Sequence, residues 1–424
     1  MKKFIALLIV LGTLFVSAEE AEKSYDTKKE HYSFNLSVFH PLSLNKSKDD
    51  TANINLSLIY GHVGQVEGAD LSLLTTFVKN DVTGVQLGGL FAYTGGNITG
   101  IQWSDLAVVT EGRVLGFQSG GIFSYAGGNV TGGQSGGILN IGRGNLVGVQ
   151  AAGIANYNEK DITGAQASGI VNVNNGDFTG AQLAGIGNYN GKALTGAQVS
   201  GIGNINNRDL TGAQISGIFN YSGGVVTGTQ ISPIANISSG LDGFQLGLVN
   251  ISGNTTGVQL GLVNIAKEMK GVPIGLINIA ENGEVNPVVF ASNTTLANIG
   301  VKFSVGYIYS MLTLGSYNLS EKESQSLSAG FYYGGHLPLG KFYFDGDLGA
   351  EAVDNKELFD DRQDDSDDPI KDSYSLRTRI TAGFDITDWL GVFAGGGMEY
   401  KINEREKFKD GSFSPLFFGG VKLF

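Results

Sequence analysis

Between residues 84 and 290 the apolar and polar positions recur every sixteen residues. Gln stands at 86, 102, 118, 134, 150, 166, 182, 198, 214 and 230. Gly precedes each by two, from Gly84 to Gly228, and Leu or Ile follows by four, from Leu90 and Leu106 to Ile234. Asn follows by six in seven consecutive copies, Asn140 to Asn236, and Tyr, Val or Ile follows by seven. The position twelve after Gln is apolar in nine of ten copies, from Ile98 to Val226. The copies then shorten to "GFQLGLVNISGNTT", "GVQLGLVNIAKEMK" and "GVPIGLINIAENGE", with Pro273 in place of Gln.

So short a period excludes helical repeats, which need about 33 residues or more, and propeller blades, which need about 40. Sixteen residues fit one coil of a β-solenoid, two short strands and two corners, each coil pairing with its neighbours. Identical positions then stack about 4.8 Å apart, and thirteen coils from Gln86 to the one holding Pro273 would span about 60 Å. This reading places the Leu/Ile column (Ile170, Ile186, Ile202) in a dry interior and bonds the Asn column (Asn172, Asn188, Asn204) amide to amide. It leaves open whether Gln points in or out. Gly before the Ile suits a corner that needs positive φ or close approach. Pairs such as Asn174-Asn175, Gly95-Gly96 and Asn190-Gly191 mark the opposite corner.

After about residue 290 the period falls to two. Tyr374, Leu376, Thr378, Ile380, Ala382, Phe384 and Ile386 alternate with Ser375, Arg377, Arg379, Thr381, Gly383 and Asp385. Phe342, Phe344, Gly346, Leu348 and Ala350 alternate with Tyr343, Asp345, Asp347, Gly349 and Glu351. Residues 299–311 put Ile299, Val301, Phe303, Val305, Tyr307, Tyr309 and Met311 on one face, unless the chain turns near Gly306. Further strands fit 326–337, 389–401 and 413–424. Tight connections (338–341, 386–388) alternate with long ones (312–325, 354–372, 402–412), the pattern of a transmembrane β-barrel. The competing assignment is a soluble antiparallel sandwich. Six strands fall short of the usual minimum of about eight. Two more are available where Tyr32, Phe34, Leu36 and Val38, then Ile54, Leu56, Leu58 and Tyr60, alternate with polar residues. They either close the barrel or cap the solenoid.

The domain reading is therefore a segment 1–18, N-terminal strands in 19–60, a β-solenoid in 61–290 and a β-barrel-like domain in 291–424, all-β throughout. Residues 1–18 read as a signal peptide: Lys2 and Lys3, an apolar run from Phe4 to Val16, then small residues before a cleavage point after Ala18. The run is shorter than the roughly 20 residues of a spanning helix, so it reads as a cleaved leader and the chain is expected to be exported.

Composition narrows the chemistry. Gly accounts for 65 of 424 residues and Cys for none, which removes disulfides, thiolate nucleophiles and Cys-based zinc sites. His31, His40, His62 and His336 lack metal-ligand spacing. A net charge of −12 argues against nucleic acid as a partner. The Gln and Asn columns read as internal hydrogen bonding rather than a ligand array. The Thr column (Thr163, Thr179, Thr195, Thr211, Thr227) lacks the second Thr file of an ice-binding face. Asp161, Asp177 and Asp209 form a column broken by Ala193 and suit solvated turns. His336 is the only His on a barrel strand, placed in the lumen within reach of Ser328, with no Ser-His-acid spacing. The segment 354–372 holds nine acids and three bases without EF-hand spacing. No catalytic, cofactor-binding or metal residue is assigned.

The G-x-Q-x-x-G-I-x-N-Y/I repeats, followed by "LANIGVKFSVGYIYSMLTLGSY" and aromatic-rich strands, resemble the bacterial surface-repeat-containing proteins, a family of exported proteins assigned to the outer membrane. The resemblance covers roughly residues 50–424. It implies a location and an architecture, and a solenoid on the cell surface, but no catalytic residues. The terminal Phe424 resembles the signal read by the barrel assembly machinery, with Lys422 an exception on its face. The expected function is non-enzymatic: an outer-membrane-anchored solenoid offering an extended face for adhesion or cell-surface structure. Its partners would be outer-membrane lipid and a host or cell-surface glycan or protein. The alternative is a barrel enzyme or a polysaccharide-acting solenoid. Counting strands back from a periplasmic Phe424 puts the solenoid in the periplasm if 299–311 is one strand, and at the surface if it is two.

Overall fold

The computed structural model describes residues 29–40, 42–45, 47–316, 327–354, 373–403 and 412–424. The signal-peptide segment and most of 354–372 lie outside these residues. Every regular element described is a β-strand. The chain forms two compact units that divide between Gly127 and Gly128. Both carry solenoid coils, and the second also carries the barrel.

One coil shows the design. Leu194–Ser200 is a seven-residue strand, Gly201 and Ile202 turn a corner, Gly203–Asn206 is a four-residue strand, and residues 207–209 turn the second corner. Each strand pairs in parallel with its equivalent one coil on, so that Thr195 meets Thr211 and Gln198 meets Gln214. Alternation along the two strands turns Leu194, Gln198, Ser200, Asn204 and Asn206 inward, where all are buried. The interior is thus amide-rich, with one apolar column (Ile162, Phe178, Leu194, Leu210) packed beside it.

The expected dry interior of Leu and Ile is not found. Ile170, Ile186 and Ile202 are 40%, 46% and 42% exposed. They occupy the second position of the Gly-Ile corner, and at a bend the convex side chain splays outward. Strict alternation from Ser200 to Asn204 would have placed Ile202 inside; the corner breaks that phase. The expectation for Gly also divides. Close approach holds at the corner, where a Cβ on Gly201 would lie 2.2 Å from the Gly185 carbonyl oxygen. Positive φ belongs instead to the Gly two before Gln: Gly196 has φ 131° and its Cβ would lie 2.0 Å from the Gly180 carbonyl oxygen.

The N-terminal strands join the solenoid. His31–Phe39 pairs in parallel with Thr51–Val63, which pairs in parallel with Gln65–Ser72. They show the same inverted polarity, with Asn35 and Asn55 buried while Phe34, Leu36 and Ile54 are exposed.

The barrel closes without them. Its eight antiparallel strands are β1 (Gly283–Ser292), β2 (Ala297–Val305), β3 (Ile308–Ser316), β4 (Leu327–Leu339), β5 (Phe342–Asp354), β6 (Ser373–Thr387), β7 (Leu390–Asn403) and β8 (Ser412–Leu423). Pairing of Val289 with Val421 joins β1 to β8. The strand missed in the sequence is β1, which the repeat pattern had absorbed into the solenoid. Gly306, at φ 59°, turns the chain between β2 and β3. That turn reverses the face, so Tyr309 and Met311 point into the barrel while Ile299 points out.

Eight is an even number, so the chain enters and leaves the barrel at one end. Gly283 and Leu423 lie there with the tight turns after Val305, Leu339 and Thr387. The turn at Gly306 does make two strands of 297–316, but β1 returns the solenoid to the Phe424 end. At that end the last coil meets outward side chains of the barrel wall. The Asn278 amide donates to Ser310 (3.0 Å), the Ser310 hydroxyl to the Leu276 carbonyl (3.0 Å), and the Tyr333 hydroxyl to the Pro273 carbonyl (3.0 Å). Val305 packs on Ala266, Met269 and Ala280 inside the coil.

Candidate binding face of the solenoid

The interior amides explain why the repeat is so strict. A buried amide without a partner costs roughly 1–3 kcal/mol. A column of identical amides gives every donor an acceptor one coil away. The Gln198 amide donates to Gln182 (2.7 Å) and Gln214 to Gln198 (2.7 Å), toward the N-terminus. The Asn column runs the other way: Asn188 donates to Asn204 (2.9 Å) and Asn204 to Asn220 (3.0 Å). A second Asn file links Asn174 to Asn190 and Asn190 to Asn206 (both 2.9 Å). Pro273 ends the Gln column without supplying a donor, and Gln259 Oε1 has no partner among the described residues. These columns hold the fold and are closed to ligands.

Asp70 marks where two ladders meet head-on. It stands in register with Gln86 and is fully buried. The Asn55 amide donates to it from one side (2.7 Å), the Gln86 amide from the other (3.1 Å), and the Thr76 hydroxyl also donates. Only a group that accepts on both oxygens fits between two converging donors. Burial pushes the Asp70 carboxyl above its ordinary 3.8, although the three hydrogen bonds pull it down. A raised carboxyl is bound to its proton more tightly in the folded state. Its stabilising effect is therefore full below 3.8 and is lost as pH rises through the higher folded value. Asp70→Asn puts an amide against a donor and should cost about 1–3 kcal/mol. The gap between the wild-type and variant melting transitions should be wider near about pH 4 than near about pH 7. A gap independent of pH would show that Asp70 does not titrate in this way.

The outer surface is apolar on one edge. The corner column of the second unit runs from Ile138 to Leu276, flanked by outward residues such as Leu183, Val199, Ile215, Phe219 and Tyr221. Among residues 130–280 no Asp, Glu, Lys or Arg occurs in that column or in the columns beside it. Charged residues such as Arg143, Asp177, Lys192, Arg208 and Asp209 fall at the opposite corner, and Asp242 and Lys270 beside it. The acid column forms one chain of contacts there, with Asp161 accepting from the Asp177 amide (2.9 Å) and Asp177 from the Ala193 amide (3.0 Å). These acids cap the turns rather than converge on a site. A shallow groove of about 610 Å³ lies where the residue after Gln is small, at Ser135, Ala151 and Ala167, before Leu183 and Val199. It contains no titratable side chain.

The barrel interior is charged and full. Arg379 grips Asp347 through two bonds of 2.9 Å and stacks on the Tyr332 ring at 3.4 Å. Arg377 binds Glu399 (2.9 and 2.7 Å) and Glu351, which also accepts from Tyr332 (2.9 Å). His336 does not approach Ser328 as a catalytic pair would. It meets Asp345 (2.6 Å), which also binds Lys302 (2.5 Å), and Ser328 lies near the other end of β4. The void beside Lys302, Tyr343 and Asp345 holds only about 20 Å³, room for about one water molecule. Lys422 sits in this lumen, 3.1 Å from Asp385 and 4.0 Å from the Phe424 ring. The Phe424 phase of the last strand is the luminal one, so a Lys there is accommodated.

His40 and His62, distant in sequence, come together with ring centroids 5.8 Å apart, and His62 packs on Phe77 at 4.7 Å. Among the described residues no group of three or more His, Asp or Glu is placed to hold a metal ion. No family model matches the chain, and neither the curated proteins nor the solved structures compared with it include a match.

Proposed function

We propose that this is an exported, non-enzymatic repeat protein anchored in the outer membrane by its barrel, with the solenoid as an extended face for binding or envelope structure. One observation carries the reading: the barrel's polarity is inverted relative to a soluble protein. Ion pairs fill its interior, while Leu314, Leu348, Ile380, Phe417 and others form an exposed apolar belt. Lipid favours that arrangement and water does not. The packed lumen speaks for an anchor rather than a pore. The uniform solenoid surface, without converging acids, favours a binding or structural role over a polysaccharide-acting enzyme. His336 pairs with Asp345 rather than with Ser328, so the barrel-enzyme alternative gains no Ser–His pair. Resemblance to the surface-repeat proteins supports export and outer-membrane anchoring, with lipid and, through Phe424, the assembly machinery as partners.

Outer-membrane barrels keep short turns in the periplasm and long loops outside. With eight strands, this orientation puts the solenoid at the periplasmic face and 355–372 outside. Epitope tags in 355–372 and beside Gly191 test it on intact cells. The loop tag should be accessible, and the Gly191 tag only after the outer membrane is permeabilised. Both tags accessible on intact cells would overturn the spanning barrel. Access to the Gly191 tag alone would mean the opposite insertion, and the solenoid would then be displayed for adhesion to a host or cell-surface glycan or protein.

A further inference from the structure

We propose that the solenoid of the second unit lies in the plane of the membrane, its Leu/Ile edge sunk among the lipid chains of the leaflet at the Phe424 end and its charged corner in water. The proposal rests on the membrane-spanning reading of the barrel. It begins from where the last coil docks. Ser310, Tyr333 and Val305 project outward from β3, β4 and β2, and they close the open end of the coil stack. A stack whose end abuts a barrel wall leaves that wall sideways, along the membrane rather than away from it.

The docking level falls within the apolar belt. Ile308, beside the Gly306 turn, pairs with Gly335. Strands β4 and β5 continue past that level, and there Leu337, Leu339, Phe342 and Phe344 are exposed. The coil therefore meets the barrel where neighbouring wall positions face lipid.

The rotation of the coil also fits. Leu276, last of the edge column, bonds through its carbonyl to Ser310, the third residue of β3. The opposite corner, at 281–282, leads directly into Gly283 at the tight-turn end. The Leu/Ile edge thus points toward the middle of the belt and the charged corner toward water. Between residues 130 and 280 that edge carries no charge, as a lipid-facing surface requires. The backbone groups of each coil pair with the next coil and the amides pair inside, so few polar groups are left for lipid to meet. An element with one apolar face and one charged face settles in the interfacial plane.

The chain has no Cys, so single-Cys variants of the full chain can each carry one environment-sensitive fluorophore. Ile186→Cys and Ile218→Cys report the edge, Asp177→Cys and Arg208→Cys the charged corner, and Leu348→Cys the barrel wall. Each is reconstituted in phosphatidylethanolamine–phosphatidylglycerol vesicles, with spin-labelled acyl chains or with iodide on both faces. Edge and wall labels should lose fluorescence to the spin-labelled chains and be spared by iodide, and the corner labels the reverse. If the wall label is quenched by lipid but the edge labels by iodide, the solenoid stands in water; the inference then fails and the barrel reading survives. If the wall label is not quenched by lipid, the barrel reading itself fails and the inference with it. Edge labels quenched by neither agent, with cross-linked dimers, would mean that a second copy covers the edge, which also overturns the proposal.

Discussion

Deleting residues 195–210 leaves a chain that still folds, whereas deleting 195–202 destroys the solenoid around the cut. The longer deletion joins Leu194 to Thr211. Because Thr195 pairs with Thr211 and Leu194 with Leu210, the seam restores the same column order with one coil fewer. Each coil touches only its neighbours, so the loss is local. The shorter deletion joins Leu194 to Gly203. It sets the start of a long strand against a short one, and the Gln and Asn columns no longer meet their own kind. Every displaced amide then costs roughly 1–3 kcal/mol, and several are displaced at once. Far-ultraviolet circular dichroism and protease resistance of the full chain should separate the two variants. Equal behaviour would overturn the nearest-neighbour account.

Leu194→Ser should destabilise the chain by on the order of 3–5 kcal/mol, and Ile186→Ser by less than about 1 kcal/mol. Leu194 is 1% exposed, stacked between Phe178 and Leu210 in the one apolar column of the interior. Truncation there opens a cavity and buries a hydroxyl within an apolar column. Ile186 is on the outer corner. Thermal melting of the full chain in detergent measures both. A larger effect at Ile186 would restore the Leu/Ile interior that the repeat first suggests.

The sequence alone determined the period, the parallel stacking and the switch to alternating strands. These are local: a sixteen-residue repeat admits few architectures, and alternation in β5 and β6 specifies which side chains share a face. Luminal Arg377, Arg379, Asp345 and Asp347 were therefore legible before their partners were. What the tertiary structure decided was phase at the corners, strand count and junctions. Ile186 and Gln182 look equally suited to an interior when only their spacing is known. The corner turns one out and strand alternation carries the other in, because a bend splays its convex side chain away from the core. The strand β1 was hidden because it follows the last coil without a break in apolar pattern, and closure against β8 is a contact across more than a hundred residues. Asp70 carried a signal that spacing could have revealed, an acid in the Gln column sixteen residues before Gln86. Its role as a double acceptor required the opposed ladders, whose directions exist only once the coils are stacked.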